Sequence, residues 1–501
     1  MLSWATTSFV VIYPVISQSR DIDQRRCREH ARRGRADVSD SFKLSSLELP
    51  TSSWWLSQEA VSASGIREVP IGLAGKEVMS GAPSRRTNSP ALGHVVVVGA
   101  GMVGLATAWF LQEYGVEVTV IDREGIAAGA SWGNAGWLSP GIVTPLAEPS
   151  VLRYGLKSFF DPAAALYIPP TIDPGLWRFL TRFAMHCTMK QWKRSMEAYV
   201  EIDRQALSAF DDLANGGVTS PTIDAPLMVA FEHAREASGF RHELELIRHA
   251  GQPVDVDELS RADAGALMAH IADRMELVLQ LNGQRYVDSG EYVNSLADSV
   301  VAKGGTIRKG MCARTISRDS SGIAVELEGA DPVRGDAVVV AVGSWLNDLA
   351  PSLGVRTRVQ SGRGYSFSVS TGQPVRAPIY VPAARLACTP YRGGMRIGGS
   401  MEFRSVDAPL DPTRVDAIVK AAKPVLSGVD WESISDVWVG SRPVTADSRP
   451  LIGATKVAGV FVAGGHGMFG MTLGAVTGKL LAEQMITGNQ PGALRAFGPL
   501  R

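Results

Sequence analysis

The sequence predicts an α/β protein of two domains, one a Rossmann-type dinucleotide-binding domain and the other built on an antiparallel sheet with helices. Three observations carry this. Val95–Asp122, VVVVGAGMVGLATAWFLQEYGVEVTVID, reads as strand, glycine turn, helix, strand and terminal acid. Short buried runs return at Asp336–Gly343 and Gly459–Gly465. Between them the pattern changes to long amphipathic helices from Pro149 to about Asn282, then to alternating, turn-rich sequence from Arg356 to Glu402.

Val95–Val98 is too short and too β-branched for a helix and reads as a buried parallel strand. Gly99, Gly101 and Gly104 follow at G-x-G-x-x-G spacing. The first allows a tight turn, the second lets a pyrophosphate approach the backbone, and the third lets the helix pack on the strand. The helix from about Met102 to Tyr114 points its N-terminal N–H groups and positive dipole end at that phosphate. Gly115 stops it, and Val116–Ile121 alternates as a second strand. Asp122 ends that strand about 20 residues beyond the glycines, where an acid can hydrogen-bond a ribose hydroxyl. Such a glycine triplet also occurs in ordinary turns; strand, helix, strand and acid in register make this one a dinucleotide site.

Lys+Arg and Asp+Glu are equal at 50 each, so no basic field favours nucleic acid. No run approaches the ~18–20 apolar residues of a membrane span. Cys27, Cys187, Cys312 and Cys388 form no C-x-x-C and have no histidine at zinc spacing, which argues against a structural metal and fits a reducing compartment.

Residues 1–90 lack the pattern of a folded domain. Leu2–Ser17 is apolar without a basic flank or cleavage site, Arg20–Arg35 is arginine-rich without an apolar face, and Ser45–Ser53 has no period. This stretch is expected to be disordered or to precede the native protein, with Met79 as the native start; a transit peptide is the alternative. Gly129–Trp137 is a run of small residues that lets a loop pass close to a flat ligand, with Ser131 and Asn134 able to hydrogen-bond a phosphate or ring edge. Leu176, Phe179, Leu180 and Phe183 share one helical face, with Arg178, Arg182, Lys190, Lys193 and Arg194 elsewhere. That pattern fits a solvated face over a core; a membrane-surface helix is the alternative. Glu291–Ala302 reads as a helix, Thr306–Arg308, Cys312–Ile316 and Gly322–Leu327 as strands, and Met471–Ile486 as the last helix.

These residues resemble a known family. Gly99–Gly104, the GNAGW loop at Gly133–Trp137, AVGSW at Ala341–Trp345, GSRPVTADSRPLIG at Gly440–Gly453 and VAGGHGMFGMTL at Val462–Leu473 together resemble the FAD-dependent D-amino-acid dehydrogenases, within the larger D-amino-acid, glycine and sarcosine oxidase family. The resemblance runs from about residue 94 to 490. It implies a discontinuous FAD-binding domain (91–150 with 285–346 and 435–490) interleaved with a substrate domain (151–284 with 347–434) whose antiparallel sheet roofs the flavin.

The resemblance also implies roles. Asp122 takes the place of the ribose acid, and the backbone of Ala313 touches the adenine. Gly343, Gly465, Gly467 and Gly470 belong to turns near the cofactor, and Gly470, Met471 and Thr472 open the last helix under the flavin, where its dipole stabilises negative charge on the reduced ring. Arg442 matches the arginine that pairs with the substrate carboxylate, a task suited to a bidentate guanidinium; the plain alternative is a surface salt bridge. Tyr365 and Tyr391 fall in segments that line family pockets. His466 is the remaining catalytic candidate, although a substrate whose amine is already neutral needs no strong base, and a histidine between glycines fits simple flavin contact. The sarcosine-oxidase branch tethers its flavin through a cysteine near the Arg442 region; this chain has none between 389 and 501, so non-covalent FAD is expected.

The reaction implied is oxidation of a small D-amino acid at Cα–N to an imino acid that hydrolyses to a 2-oxo acid and ammonia, with electrons passed to a quinone-type acceptor. The expected setting is cytoplasmic, with peripheral contact on the inner membrane face as an extension. Glycine, sarcosine, D-proline or hydroxyproline oxidation on the same scaffold is the nearest alternative. A flavin-binding protein without turnover and a nicotinamide-dependent dehydrogenase are alternatives of other classes.

Overall fold

The computed structural model describes residues 92–158 and 164–501, so the readings made for residues 1–90 lie outside the described residues. β1 (His94–Val98) has its four valines buried. α1 (Met102–Glu113) leads back to β2 (Glu117–Asp122), which lies parallel to β1 with Val95 opposite Val118. Gly104 permits this crossover, because a Cβ there would stand 2.0 Å from the Gly99 carbonyl oxygen. With β3 (Ala337–Val340), the strands form a six-stranded sheet in the order Thr306–Lys309, β2, β1, β3, Val460–Gly464, Leu451–Ala454. All run parallel except Leu451–Ala454, which pairs antiparallel at the edge. The carboxyl ends of β1, β2, β3 and Val460–Gly464 therefore share one side of the sheet, where open α/β sheets bind ligands.

A nine-stranded sheet forms the second layer. β4 (Val359–Thr371), β5 (Leu386–Tyr391), β6 (Gly394–Phe403) and β7 (Val429–Thr445) stand in the order β7, β4, β6, β5, all antiparallel. It continues through Ile379–Val381, Leu227–Phe231, Leu277–Leu281 and Val256–Ser260, with Leu166–Tyr167 beside β6. Two joins are parallel, Ile379–Val381 with Leu227–Phe231 and Leu166–Tyr167 with β6. Parallel neighbours need a long crossover, and both joins bring the chain back after distant excursions. The expected domain boundary at 434–435 falls inside β7, which lies wholly in this sheet.

Alternation along β4 and β7 decides which residues share the face of Arg442. Gly362, Gly364 and Ser366 pair with Arg442, Gly440 and Trp438 and share one face. Tyr365, Phe367 and Val369 point to the other, where they pack with Ile397 and with Val415 and Ile418 of the helix Pro412–Ala422.

The run of amphipathic helices is divided after Pro174–His186, and the last helix differs in extent from the expectation. The stretch Leu176–Ile202 is two helices, Pro174–His186 and Met189–Asp203, because Thr188 caps the second by accepting from Gln191 N–H. Leu176, Phe179 and Phe183 are buried, Leu180 is half-buried, and the five basic residues are exposed. The last helix spans Gly474–Thr487, not Met471–Ile486. Residues 471–473 remain in turns, with the Thr472 hydroxyl bonded to the Trp137 carbonyl at 2.9 Å.

Candidate active site

A cavity of about 350 Å³ lies along the carboxyl ends of the parallel strands. Its wall brings together Gly99, Gly101, Asp122, Ser131, Asn134, Ala313, Gly343, Arg442, His466, Gly467, Gly470 and Met471. Gly104, Gly465, Thr472, Tyr365 and Tyr391 do not line it. Gly104 serves packing, as above. Gly465 (φ +75°) turns the chain, and a Cβ there would meet Thr445 Cγ2 at 3.0 Å.

The dinucleotide side of the wall is pinned by its own backbone. Asp122 Oδ2 accepts from Ala100 N–H at 2.8 Å, and its Oδ1 accepts from Glu124 and Gly125 N–H at 2.8 Å each. The acid thus ties the glycine turn to the end of β2. Gly101 caps α1 without a side chain, and Ser131 Oγ accepts from Met102 N–H at 3.2 Å. Asn134 Oδ1 accepts from Gly136 N–H at 2.9 Å, which leaves its amide donors for another partner. Gly343 and Gly467 both have φ +56°, and a Cβ on either would enter open space. Glycine is favoured there by conformation, and it leaves two side-chain-free stretches of wall.

The opposite side carries Arg442. Its guanidinium lies over Gly364, where a Cβ would stand 2.0 Å from Nη1, and Nη1 donates to Ser400 O at 3.1 Å. No carboxylate among the described residues is within ion-pair distance of it, and burial lowers its pKa to about 10. A cation in that state favours an incoming anion. Trp438, on the same face, packs flat against Gly133 and Gly440, where a Cβ would fall 2.3 Å and 1.9 Å from the ring.

His466 is buried with Nε2 3.0 Å from Thr477 Oγ1, and desolvation pushes its pKa down to about 4. It is neutral at pH 7 and a weak proton acceptor. The unfolded chain binds this proton below its ordinary value of 6.5 and the folded chain only near 4, so stability falls as pH drops through that window, by on the order of 3 kcal/mol. His466→Gln is expected to flatten that slope in thermal unfolding; an activity ionisation abolished by the same substitution would restore a base role.

The two tyrosines separate. Tyr365, on the far face, donates to Glu402 Oε1 at 2.7 Å inside a buried cluster with Arg363, and burial and that bond push its phenol up to about 12. Tyr365→Phe is expected to lower stability by ~1–3 kcal/mol in urea unfolding while kcat/KM stays within about twofold. A larger kinetic loss at unchanged stability would place its hydroxyl on the substrate. Tyr391 lies under the Arg396 guanidinium at 4.2 Å, and Trp132 stands 5.0 Å from the same group. Arg396 Nη1 donates to Ser366 Oγ at 3.3 Å, and Ser366 donates to Gly133 O at 2.8 Å. This stack clamps the 131–137 loop to the sheet that carries Arg442.

Residues 94–484 match the family model described as DAO: FAD dependent oxidoreductase. The chain belongs to this family. It is 30% identical over 409 residues to a D-amino acid dehydrogenase of Cereibacter sphaeroides, covering 79% of this chain and 92% of that protein. A D-amino acid dehydrogenase of Azorhizobium caulinodans is 28% identical over 406 residues, covering 79% and 96%. Among solved structures, glycine oxidase from Geobacillus kaustophilus superposes with a TM-score of 0.63 at 20% identity, covering 82% of this chain and 99% of that one. L-proline dehydrogenase from P. horikoshii gives 0.61 at 15%, covering 82% and 98%. These two establish the fold.

The protein is therefore an FAD-dependent amino-acid oxidoreductase of the DAO family. The cavity fits FAD: a backbone-only approach at Gly101, a helix N-terminus behind it, and open wall at Gly343 and Gly467. Of the described cysteines, Cys187 and Cys388 are buried, with burial raising their thiols to about 11 and about 12. Cys312 lines the cavity beside Ala313. Sequence reasoning missed Trp438, Gly364 and Gly440. The signal for two of them was present, since Trp438, Gly440 and Arg442 recur at the period of two that puts side chains on one strand face. It missed Trp345 and Arg123 too, which stack at 4.3 Å on the cavity wall and are distant in sequence.

Proposed function

We propose that the protein oxidises a small D-amino acid to its 2-oxo acid and ammonia and passes the electrons to a quinone-type acceptor. The observation that carries this is Arg442, half-buried on the cavity wall, whose guanidinium has no carboxylate partner among the described residues. Bound FAD supplies the acceptor for the hydride of the substrate Cα–H. Arg442 binds the substrate carboxylate with both prongs and so orients Cα. Gly364 gives the guanidinium its seat, and Trp438 on the same face packs against Gly133 and Gly440. Gly99, Gly101, Gly343, Gly467, Gly470 and Met471 hold FAD by backbone approach. Asp122 acts on the ribose through the turn it pins, Ser131 and Asn134 act from the loop, Ala313 acts at the adenine, and Gly104 and Thr472 act by placing helix and turn. His466, neutral and tied to Thr477, contacts the cofactor without taking a proton. We place Tyr391 as a support of the loop and Tyr365 outside the substrate site.

We assign 91–150 and 285–346 with the segment after Thr445 to the FAD half, and 151–284 with 347–445 to the substrate half. No helix among the described residues is long and apolar enough to cross a membrane. Ile172, Trp177, Met185 and Met189 are exposed next to Arg178, Arg182 and Lys190, which favours peripheral contact with an anionic membrane on the cytoplasmic side. The relatives' name, dehydrogenase, favours an acceptor other than oxygen. After reduction by substrate, the enzyme is expected to pass electrons to a quinone analogue much faster than to oxygen. Rapid, stoichiometric peroxide in air would move it to the oxidases, and preferred turnover of glycine, sarcosine or D-proline would replace the substrate reading.

A further inference from the structure

A second cavity, of about 480 Å³, shares no lining residue with the FAD site. It opens where the helix Met189–Asp203, the turn after β7 and the segment 490–501 meet, and four arginines line it: Arg194, Arg449, Arg495 and Arg501. One carboxylate answers them. Asp447 takes Arg449 at 3.0 Å and Arg501 at 2.8 Å, and although burial works against its charge, Arg501 and then Arg449 hold it down to about 2. Arg501 is spent further on the carbonyls of Pro450 and Arg449, at 2.9 Å and 2.7 Å. Its main-chain oxygen is turned to the Thr357 hydroxyl at 3.5 Å. Arg194 and Arg495 are exposed and have no ion pair among the described residues.

Asp447 answers Arg449 and Arg501, which leaves Arg194 and Arg495 on the cleft wall as guanidiniums open to an anion. A second observation points the same way. Gln484, 9% exposed, lines the cavity with an Oε1 that has no hydrogen-bond partner among the described residues. Gly453, at φ +131°, stands beside that buried oxygen, where a Cβ would be 3.5 Å away. Free guanidinium forks suit oxyanions, and an unpaired amide oxygen suits a hydroxyl.

We propose that this cleft binds a multivalent oxyanion carrying a hydroxyl, an organic phosphate or hydroxy-polycarboxylate, with its charge on Arg194 and Arg495 and its hydroxyl on Gln484. The test uses the FAD-loaded enzyme, in which the dinucleotide site is filled. Thermal unfolding is followed with citrate, tricarballylate or glycerol 2-phosphate, each against sodium chloride at matched ionic strength. Citrate or glycerol 2-phosphate at saturation is expected to raise the midpoint by about 3 °C or more over salt. The arm with the larger rise names the phosphate or the carboxylate source. The Arg194→Gln/Arg495→Gln double variant is expected to lose the rise; both side chains are exposed, so the fold tolerates the change. Tricarballylate, which lacks the hydroxyl of citrate, is expected to bind about tenfold more weakly by calorimetry. No rise beyond salt, or a rise that the double variant keeps, would overturn the site. Equal citrate and tricarballylate affinities would overturn the part assigned to Gln484.

Discussion

Arg442→Ala is expected to lower kcat/KM for the amino-acid substrate by roughly 30- to several-thousand-fold, the ~2–5 kcal/mol typical of truncating one side of a buried charge pair. FAD content should not change, since the guanidinium is assigned to the substrate carboxylate and not to the cofactor. Stability should hold or rise, because the substitution removes a desolvated cation that has no carboxylate partner among the described residues. That combination separates a ligand arginine from a structural one, whose loss would lower the melting point. Arg442→Lys should recover only part of the loss, as a point charge cannot reproduce a two-pronged contact. Gly364→Ala offers an independent check, because its methyl would occupy the seat of the guanidinium, 2.0 Å from Nη1. It should reproduce much of the Arg442→Ala defect without touching the arginine. Activity of Arg442→Ala within about twofold of wild type would move the carboxylate clamp elsewhere.

Gly101→Val is expected to abolish FAD binding while the fold survives. The nearest atom to a Cβ at Gly101 is Ser131 Oγ at 3.3 Å, a contact a hydroxyl can relieve by small movement. The branched side chain would then stand where a pyrophosphate must meet backbone. The variant should purify colourless, with far-ultraviolet circular dichroism like that of wild type. Gly104→Val is the contrast: its Cβ would meet the Gly99 carbonyl at 2.0 Å, so it should fail by misfolding. A Gly101→Val protein that keeps its full yellow complement would remove the cofactor from this turn.

Much of this architecture was legible because local and global signals agree around Val95–Asp122. Four valines, three spaced glycines and a terminal acid specify one crossover, and a parallel strand has few other ways to be covered. The alternation over Arg356–Glu402 likewise specifies antiparallel pairing. What stayed hidden depended on register and on contacts distant in sequence. Tyr365 and Gly364 are adjacent, yet only the pairing of Gly364 with Gly440 shows which faces Arg442; a shift of one residue would exchange them. The break at Cys187–Thr188 is carried by a single capping hydroxyl inside an otherwise continuous apolar face. The depressed basicity of His466 follows from burial beside Thr477, which no spacing in the sequence encodes.

Anaerobic titration of the FAD-loaded enzyme with amino acids tests the central claim most directly. A small D-amino acid should bleach the oxidised flavin band and release one 2-oxo acid and one ammonia per flavin reduced, and its L-enantiomer should not. An enzyme that stays yellow with every D- and L-amino acid and with N-methylglycine would be a flavin binder without this activity, and that result would contradict the proposed deamination.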